Sequence, residues 1–407
     1  MLAVSVLTLA LFLQCVYGRW VARGLFESIG LDYAIFSAAA RVVTDLGWAR
    51  LYDATALTER FVQLLPFYDP MAPPAVLVAS PNAAPFVLPF LVTNLLGPIG
   101  GFAAWTVLNL ALVLAITRGL RRGPEYQGPV WHLMPFVFLP VLYNFYLGQL
   151  AILMTFGWYK ASIAFRDGQE FRAGLWLGLL LLKPHFILVP ALVLLGKGRW
   201  RALGGLFLAG LVLLVSTCAL VGGEGVRSYL DLLRTFSGFR RVPSIVNPGD
   251  MINFRGILVR LLPEGCSEAQ GTALVLVLSV LLVPSLVVVW RGSWDPRADR
   301  FPRQMLATLI VALLSGFHSH IYAAALLIVP LLAELARDRE PASSRGPFLV
   351  LLYLPTFVIL CTDNSRFAAW SLIAVMAWVY GVILAESWTG WGSDRIHRAG
   401  SAAGSGS

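Results

Sequence analysis

The sequence predicts an all-α fold, a polytopic bundle of about twelve membrane-spanning helices with further extracytoplasmic helices at the interface. Of its 407 residues, 58% are hydrophobic and only 13% are charged, and the mean hydropathy is +0.74. The apolar residues form long continuous runs and do not alternate with polar ones, which excludes a β-barrel. The net charge is +9, and its basic residues cluster in short segments between the runs. Such clusters are typical of membrane topology signals and not of a nucleic-acid-binding protein.

The apolar runs divide residues 1–398 into the spans of a single transmembrane domain. The first run lacks a basic leader and a small-residue cleavage site, so we expect a retained span and not a cleaved signal peptide. Residues 399–407 have the Gly, Ser and Ala composition of a flexible tail or an artificial appendage. The predicted spans are residues 1–18, 100–118, 130–146, 149–166, 172–183, 185–196, 203–221, 271–290, 304–320, 321–335, 347–361 and 367–386.

The basic loops orient these spans. Under this assignment all of them fall on one side of the membrane, and an excess of Lys and Arg marks the cytoplasmic side. Both ends of the chain are then cytoplasmic, and the long loops 19–99 and 222–270 face the outside of a plasma (inner) membrane. The basic loops are Arg118/Arg121/Arg122, Lys160/Arg166/Arg172, Lys197/Arg199/Arg201, Arg291/Arg297/Arg300/Arg303, Arg337/Arg339/Arg345 and Arg395/Arg398.

Two segments fit this topology only if they do not cross as straight spans. Residues 84–97 are apolar, but they are short and contain two prolines, so we expect a helix that lies in or dips into the interface. Residues 173–196 have basic clusters at both ends, and a single span cannot return to its starting side. A break at Lys183, Pro184 and His185 resolves this, because proline disrupts the helix around it. Lys183 then lies at the apex of a hairpin near the outer interface.

The first outer loop contains an amphipathic helix over residues 31–46, which Gly47 ends. Leu31 and Ile35 belong to its apolar stripe, and Asp32 lies on the adjoining edge. A carboxylate beside an apolar surface is costly, and such residues are usually functional. Asp32 can cap the N-terminus of the helix. It can also act as a general base that takes a proton from an alcohol, and the two roles are compatible.

Cationic and imidazole side chains at the outer ends of the spans are candidates for phosphate binding. Lys183 lies in a leucine-rich run, where it can snorkel to lipid headgroups or pair with a phosphate. Arg255 belongs to the basic second outer loop, which suits headgroup contact or bidentate phosphate binding. His318 and His320 do not share a helical face, so we expect no zinc site from these two. One of them can pack in the core while the other donates to a phosphate or a sugar hydroxyl.

Three amide side chains complete the predicted site. Asn144 and Gln149 flank an outer turn rich in aromatic residues, and Asn253 lies in a polar, turn-rich loop. Their amides can bind the hydroxyls of a sugar or an acceptor. The four cysteines are dispersed, and no metal-ligand, nucleotide-binding or serine-nucleophile motif occurs. We therefore expect neither a metal nor a cofactor, and any activated donor must reach the site attached to a lipid.

Several short segments carry a family resemblance. They are Asp32 with its helix, residues 47–53, residues 81–86 leading to Trp105 and Asn109, residues 148–149, residues 174–178 with Lys183 and Pro184, residues 253–256, and Ser315 with His318 and His320. Their order and placement, from about residue 30 to residue 335, resemble glycosyltransferase family 87, the membrane mannosyltransferase-like proteins of the GT-C superfamily.

The resemblance implies an inverting glycosyltransferase with a GT-C-like fold. Such an enzyme moves a sugar, often mannose, from a polyprenyl phosphate to a hydroxyl of a glycolipid or glycan on the extracytoplasmic face. The resemblance makes Asp32 the catalytic base and gives an important role to a late histidine, His318 or His320. Arabinose and glucose fit the residues as well as mannose does. The partners expected are membrane lipids, the lipid-linked donor and the acceptor, with no nucleic acid and no obligate protein partner.

A secondary transporter, or a flippase for a lipid-linked sugar, is the alternative from another functional class. About twelve spans with broken helices suit such a fold. The length of loop 19–99 and the lack of a visible two-fold repeat favour the enzyme. The clustering of the intramembrane charges at one face favours it as well.

Overall fold

The computed structural model describes residues 2–26, 29–65, 78–120, 129–236, 238–240, 248–337 and 345–403. Within these residues the fold is all helical and contains no strand, as predicted. The first nine helices are α1 (Leu2–Arg23), α2 (Leu31–Leu46), α3 (Ala54–Val62), α4 (Leu88–Asn94), α5 (Gly97–Gly119), α6 (Pro129–Leu133), α7 (Leu139–Leu147), α8 (Ala151–Arg166) and α9 (Glu170–Leu177). The others are α10 (Leu188–Gly196), α11 (Trp200–Phe236), α12 (Phe254–Leu261), α13 (Glu268–Leu282), α14 (Leu286–Val289), α15 (Phe301–Ser315), α16 (Ile328–Leu335), α17 (Gly346–Thr362) and α18 (Ser365–Ala403). The topology predictions at Arg121, Arg122 and Arg339, and the last four residues of the predicted tail, lie outside the described residues.

Short 3₁₀ segments connect or extend several of these helices. They cover Trp48–Arg50, Ala84–Val87, Met134–Val137, Gly178–Leu182, Pro184–Phe186, Pro248–Asp250, Val283–Ser285 and Ile321–Leu327. Several predicted spans are therefore assembled from short α and 3₁₀ pieces. Proline lies in the first turn of many of these pieces, where its missing N–H leaves no hydrogen bond unmade.

Helices long and apolar enough to cross a membrane identify an integral membrane protein. In the described residues there are five of them, Leu2–Ala22, Gly97–Gly119, Trp200–Thr235, Glu268–Val289 and Ser365–Thr389. Shorter apolar helices cover Ala84–Asn94, Pro184–Gly196, Phe301–Ser315, Ile321–Leu335 and Gly346–Thr362. The count of about twelve spans stays a prediction, because the shorter helices do not by their length establish a crossing.

The core of the bundle is formed by α15 and by the helical stretch that follows it. Nearly every side chain of α15 is buried, as are those of Ile321–Leu327. The peripheral helices differ, because Leu276, Val280 and Leu281 of α13 are each at least 60% exposed. Broad exposed apolar faces of this kind fit contact with lipid chains.

A buried ion-pair cluster joins the core helix α15 to its neighbours. Nε of Arg303 donates to Glu334 of α16 at 2.8 Å, and NH1 of Arg337 donates to the same carboxylate at 2.9 Å. NH1 of Arg303 also donates to Glu386 of α18 at 2.6 Å. The Glu334 side chain is only 4% exposed, so its charge depends on these arginines for compensation.

Helices α9 and α11 approach each other closely along glycine-lined faces. A methyl group added at Gly174 would overlap the carbonyl oxygen of Ala202, and one added at Gly205 would overlap that of Phe171. Small residues permit such close backbone contact between membrane helices. The α9–α11 contact supports the segment that leads to Lys183.

The breaks in the helices match several predictions. Helix α2 covers residues 31–46 as predicted, and Ala84–Asn94 is a helical segment separate from α5. The chain leaves helical geometry at Lys183 (φ −133°, ψ 85°), which confirms the break before Pro184. Helix α11 is interrupted at Gly222, whose φ of 65° is open to glycine. Beyond Gly222, the second part of α11 contributes Tyr229 and Leu233 to the lining of a cavity in the bundle.

Candidate functional site

A cavity of about 510 Å³ opens among several parts of the chain. Four of them are the start of α2, the turn after α7, the break at Lys183 and the loop 316–320 between α15 and Ile321–Leu327. Its lining includes the polar residues Asp32, Gln149, Lys183, His185, Asp250, His318, His320 and Tyr322. It also includes the apolar residues Leu31, Ile35, Phe36, Leu147, Leu233 and Ile321. An amphipathic ligand suits such a cavity better than a uniformly polar one.

Asp32 is the only acidic residue that α2 contributes to this lining. It is the second residue of the helix; the capping position is occupied by Gly30, and no side chain caps the helix. The carboxylate is thus free to face the cavity, through which it is partly accessible. Its burial beneath the bundle surface raises its pKa above the ordinary value, while a hydrogen bond from Gln149 and the charge of Lys183 oppose that shift. A carboxylate with a raised pKa is a stronger base near neutral pH.

A hydrogen-bonded network connects Asp32 to Lys183. Gln149 is a hydrogen-bonding neighbour that lowers the pKa of the Asp32 carboxyl, and its Oε1 accepts from Nζ of Lys183 at 3.1 Å. Nζ of Lys183 also donates to the Tyr322 hydroxyl at 3.1 Å and lies 4.4 Å from the centre of that ring. Gln149, Lys183 and Tyr322 are each less than 10% exposed. The network holds a base and a cation in a fixed relation in the lining of the cavity.

The turn that presents Gln149 is built by its local sequence. Gly148 has a φ of 75° and ends α7, and its N–H donates to the carbonyl oxygen of Asn144 at 2.8 Å. The Gln149 N–H donates to the same oxygen at 3.0 Å. Oδ1 of Asn144 accepts from the N–H of Ile152 at 3.2 Å. Asn144 is fully buried and does not line the cavity, so it supports the turn in place of the predicted contact with a sugar.

Three imidazoles form a chain along the lining of the cavity. The ring centres of His185 and His318 are 6.4 Å apart, those of His318 and His320 are 4.9 Å apart, and His320 stacks on Tyr322 at 5.8 Å. Burial, followed by the charge of Lys183, lowers the pKa of His320 to about 3. The pKa of His318 is also well below its ordinary value, through burial and then its charged neighbours. Both rings are therefore neutral hydrogen-bonding groups beside the Lys183 ammonium. No group in the described residues has three or more His, Cys, Asp or Glu side chains placed to hold a metal ion.

The loop that carries the histidines is tied to the second outer loop. The N–H of Ile252 donates to the carbonyl oxygen of Ser319 at 2.7 Å, and Nδ2 of Asn253 donates to that of Gly316 at 2.6 Å. Oδ1 of Asn253 also accepts from the N–H of Gly256, which caps α12. Asn253 is fully buried outside the cavity. Its amide braces the histidine loop in place of the predicted sugar contact.

Arg255 does not line the cavity either. Its Nε donates to the carbonyl oxygen of Phe239 at 3.0 Å, and its NH2 donates to that of Gly238. The guanidinium lies 4.4 Å from the ring centre of Phe317, a residue of the cavity wall. The guanidinium of Arg255 therefore lies behind Phe317 and does not reach the cavity, so this geometry does not provide the predicted direct contact with a phosphate.

Comparison with known proteins assigns the chain to a family. The sequence profile of glycosyltransferase family 87 matches residues 80–330, more than half of the chain. The chain belongs to glycosyltransferase family 87. This family 87 member is accordingly a membrane glycosyltransferase. No curated protein and no solved structure gives a significant match to the chain. The matched region of this family 87 chain contains Gln149, Lys183, His318 and His320. It begins after Asp32, so the family match does not cover Asp32. The fold nevertheless places Asp32 in the same cavity as these four residues.

Some cavity residues of this family 87 protein were missed by sequence reasoning. Tyr322 was one of many aromatic residues near the predicted interfaces, and no local pattern distinguished it. Asn82 belongs to the segment 81–86, which carried part of the resemblance, and Ser80 lies just before that segment. No pattern in the sequence assigned either residue a role in the site. Tyr229 lies in α11 beyond its break, inside a loop that the sequence predicted only as outer.

Proposed function

We propose that this glycosyltransferase moves a sugar, with mannose as the first candidate, from a polyprenyl phosphate carrier to a hydroxyl of a glycolipid or glycan. The single observation that supports it most is the network Asp32–Gln149–Lys183 in the lining of the cavity. It provides a carboxylate for the acceptor and an ammonium for the donor phosphate, both next to the amide of Gln149.

The mixed lining of the cavity supports a lipid-linked donor. Its apolar residues offer contact to the first isoprene units, and Lys183 and the histidines offer hydrogen bonds to the phosphate. The segment 79–82 adds neutral polar groups to the lining.

In the proposed reaction Asp32 takes the proton of the acceptor hydroxyl as its oxygen attacks the anomeric carbon. The new C–O bond forms on the face opposite the phosphate, so the configuration at that carbon inverts. The bond from the anomeric carbon to the phosphate oxygen breaks, and its electron pair leaves with polyprenyl phosphate. The balance needs no metal and no cofactor, because the carrier is already activated.

The departing phosphate changes its charge during this step. The donor is a phosphodiester with one negative charge, and the product is a monoester with two. Lys183 stabilises the added charge as it develops, and neutral His320 or His318 adds a hydrogen bond. A cation accelerates the reaction when it binds the phosphate more strongly in the transition state than in the ground state. A cation that binds both states equally does not raise kcat.

The proposed membrane arrangement follows the charged loops. With the basic loops cytoplasmic, the cavity belongs to the extracytoplasmic face of the plasma (inner) membrane, as in a GT-C enzyme. A transporter or flippase is not favoured, because the chain belongs to a family of glycosyltransferases.

A turnover assay in detergent tests the function. Purified protein is incubated with polyprenyl-phosphate sugars and glycolipid acceptors in micelles, and the product is analysed by mass spectrometry and by NMR of its anomeric centre. We expect a product of inverted configuration without a sealed membrane. Transport of the lipid across proteoliposomes, with no product in micelles, would overturn the proposal.

A further inference from the structure

The segment 79–82 forms a neutral polar part of the cavity wall that the proposed chemistry does not use. Ser80 and Asn82 are buried, with 3% and 6% of their surfaces exposed, and both line the cavity. Nδ2 of Asn82 donates to Oγ of Ser80 at 3.0 Å. Among the described residues, Oδ1 of Asn82 and the hydroxyl hydrogen of Ser80 form no other hydrogen bond, so both remain available to a ligand in the cavity.

The pair lines the cavity, so a ligand there can complete its hydrogen bonds. Turning the Asn82 amide by 180° would exchange its donor and acceptor, and an unpaired polar group would still face the cavity. The pair offers a hydroxyl donor and a carbonyl acceptor side by side, which matches a sugar ring whose hydroxyls both donate and accept.

Hydrogen bonds from neighbouring side chains hold the backbone of this segment in place. The hydroxyl of Tyr52 donates to the carbonyl oxygen of Asn82 at 2.9 Å, and that of Tyr229 donates to the carbonyl oxygen of Pro81 at 3.4 Å. The N–H of Val78 donates to Oγ1 of Thr58 at 2.8 Å. The two tyrosine rings pack at 4.6 Å between centres. Because these bonds use the main chain, the side chains of Ser80 and Asn82 remain free for a ligand.

We propose that Ser80 and Asn82 form a hydroxyl-binding subsite that recognises a sugar ring inside the cavity. The inference rests on the proposed function and adds which residues select the sugar. The segment bears no charge, so it suits the neutral ring and leaves the phosphate to Lys183 and the histidines. The ring is either the donor sugar or the sugar of the acceptor, and both present the same hydroxyl chemistry.

Two measurements on Asn82→Ala test the subsite and separate these sources. The first compares binding of polyprenyl phosphate with binding of the polyprenyl-phosphate sugar, and the second measures the KM for the acceptor. A donor subsite weakens binding of the sugar-bearing lipid about tenfold and leaves polyprenyl phosphate unchanged. An acceptor subsite raises the acceptor KM by a similar factor and leaves both lipids unchanged. Ser80→Ala gives a smaller loss in the same measurement.

The controls keep the two proposals distinguishable. Ser216→Ala removes a hydroxyl that bonds only within α11 and should behave as wild type. If Asn82→Ala does not fold, Ser80→Ala, which removes one oxygen, carries the test. Wild-type values for Asn82→Ala and Ser80→Ala in both measurements would overturn the subsite alone. Wild-type protein that neither binds nor uses any lipid-phosphate sugar would overturn the proposed function and the subsite with it.

Discussion

Replacement of Lys183 by methionine tests the electrostatics of the site in the most detail. Methionine keeps an unbranched stem of similar length in the leucine-rich segment and removes the ammonium. The variant loses the bonds from Nζ to Gln149 and Tyr322, both 3.1 Å long, and the charge beside the donor phosphate. A buried methionine is compatible with the apolar surroundings, so we expect the variant to fold.

The expected loss follows from the bonds that the ammonium makes to the phosphate. A hydrogen bond to a charged group contributes about 1.5–3 kcal/mol, and about 1.4 kcal/mol corresponds to a factor of ten. Lys183→Met should therefore lower kcat/KM roughly 10- to 150-fold. Because the phosphate gains its second charge in the reaction, kcat should fall more than donor affinity.

The pH profile gives a second, independent readout of the same variant. Burial raises the pKa of Asp32, and Lys183 opposes this shift through its charge. Asp32 must be deprotonated to act as a base, so activity is lost as the pH falls through its pKa. Without Lys183 that pKa rises further, and the acid limb of the kcat/KM profile should move to higher pH.

The assay is the detergent turnover assay over a range of pH values, with Lys183→Arg as the matched variant. Arginine retains the charge, so its acid limb should stay closer to that of wild type although its geometry differs. A Lys183→Met enzyme with unchanged kcat/KM and an unchanged acid limb would refute the role of Lys183 in both phosphate binding and the tuning of Asp32.

Three further substitutions test the remaining parts of the account. Gln149→Leu removes the hydrogen bond that opposes the raised pKa of Asp32, so kcat/KM should fall about tenfold and the acid limb should move to higher pH in the turnover assay. Glu334→Gln removes the carboxylate that compensates Arg303, and the thermal midpoint in detergent should fall by the equivalent of about 3 kcal/mol. Gly174→Ala forces a methyl group against the carbonyl backbone of α11, which should cost about 1–3 kcal/mol in a chemical-denaturation experiment.

Each of these has its own control. Gly18→Ala adds a methyl group where nothing lies within 4 Å, so it should leave stability near that of wild type. Equal stabilities of Gly174→Ala and Gly18→Ala would contradict the close packing of α9 on α11. An unchanged midpoint for Glu334→Gln would mean that this cluster is not needed for stability. For Gln149→Leu, a fall in kcat without any shift of the acid limb would show that Gln149 does not tune Asp32.

Local features of the fold could be predicted from the sequence. Helix α2 has the predicted bounds because its apolar stripe and Gly47 both act over a few residues. The break at Lys183 followed from Pro184, whose effect on the preceding residue is steric and local. The separate helical segment Ala84–Asn94 followed from its length and prolines.

Side-chain partners across the bundle could not be predicted in this way. Gln149 and Lys183 are 34 positions apart, and Lys183 and Tyr322 are 139 apart, so each contact depends on how several helices pack. Residue type alone identified Asn253 and Arg255 as polar groups near the site. It could not reveal that both side chains already bond to main-chain carbonyl groups, Asn253 to Gly316 of the histidine loop and Arg255 to Phe239.

Turnover by Asp32→Asn, with donor binding measured in the same preparation, tests the central claim most directly. Asparagine is nearly isosteric with aspartate but cannot take the acceptor proton. The matched control is Asp45→Asn, near the C-terminus of the same helix. Asp45 does not line the cavity, and its carboxylate pairs with Arg60 at a distance of 2.8 Å. We expect Asp32→Asn to lose at least about 100-fold in kcat, the lower range for a general base, while it binds the polyprenyl-phosphate sugar and Asp45→Asn stays active. Turnover by Asp32→Asn equal to that of wild type would contradict the account.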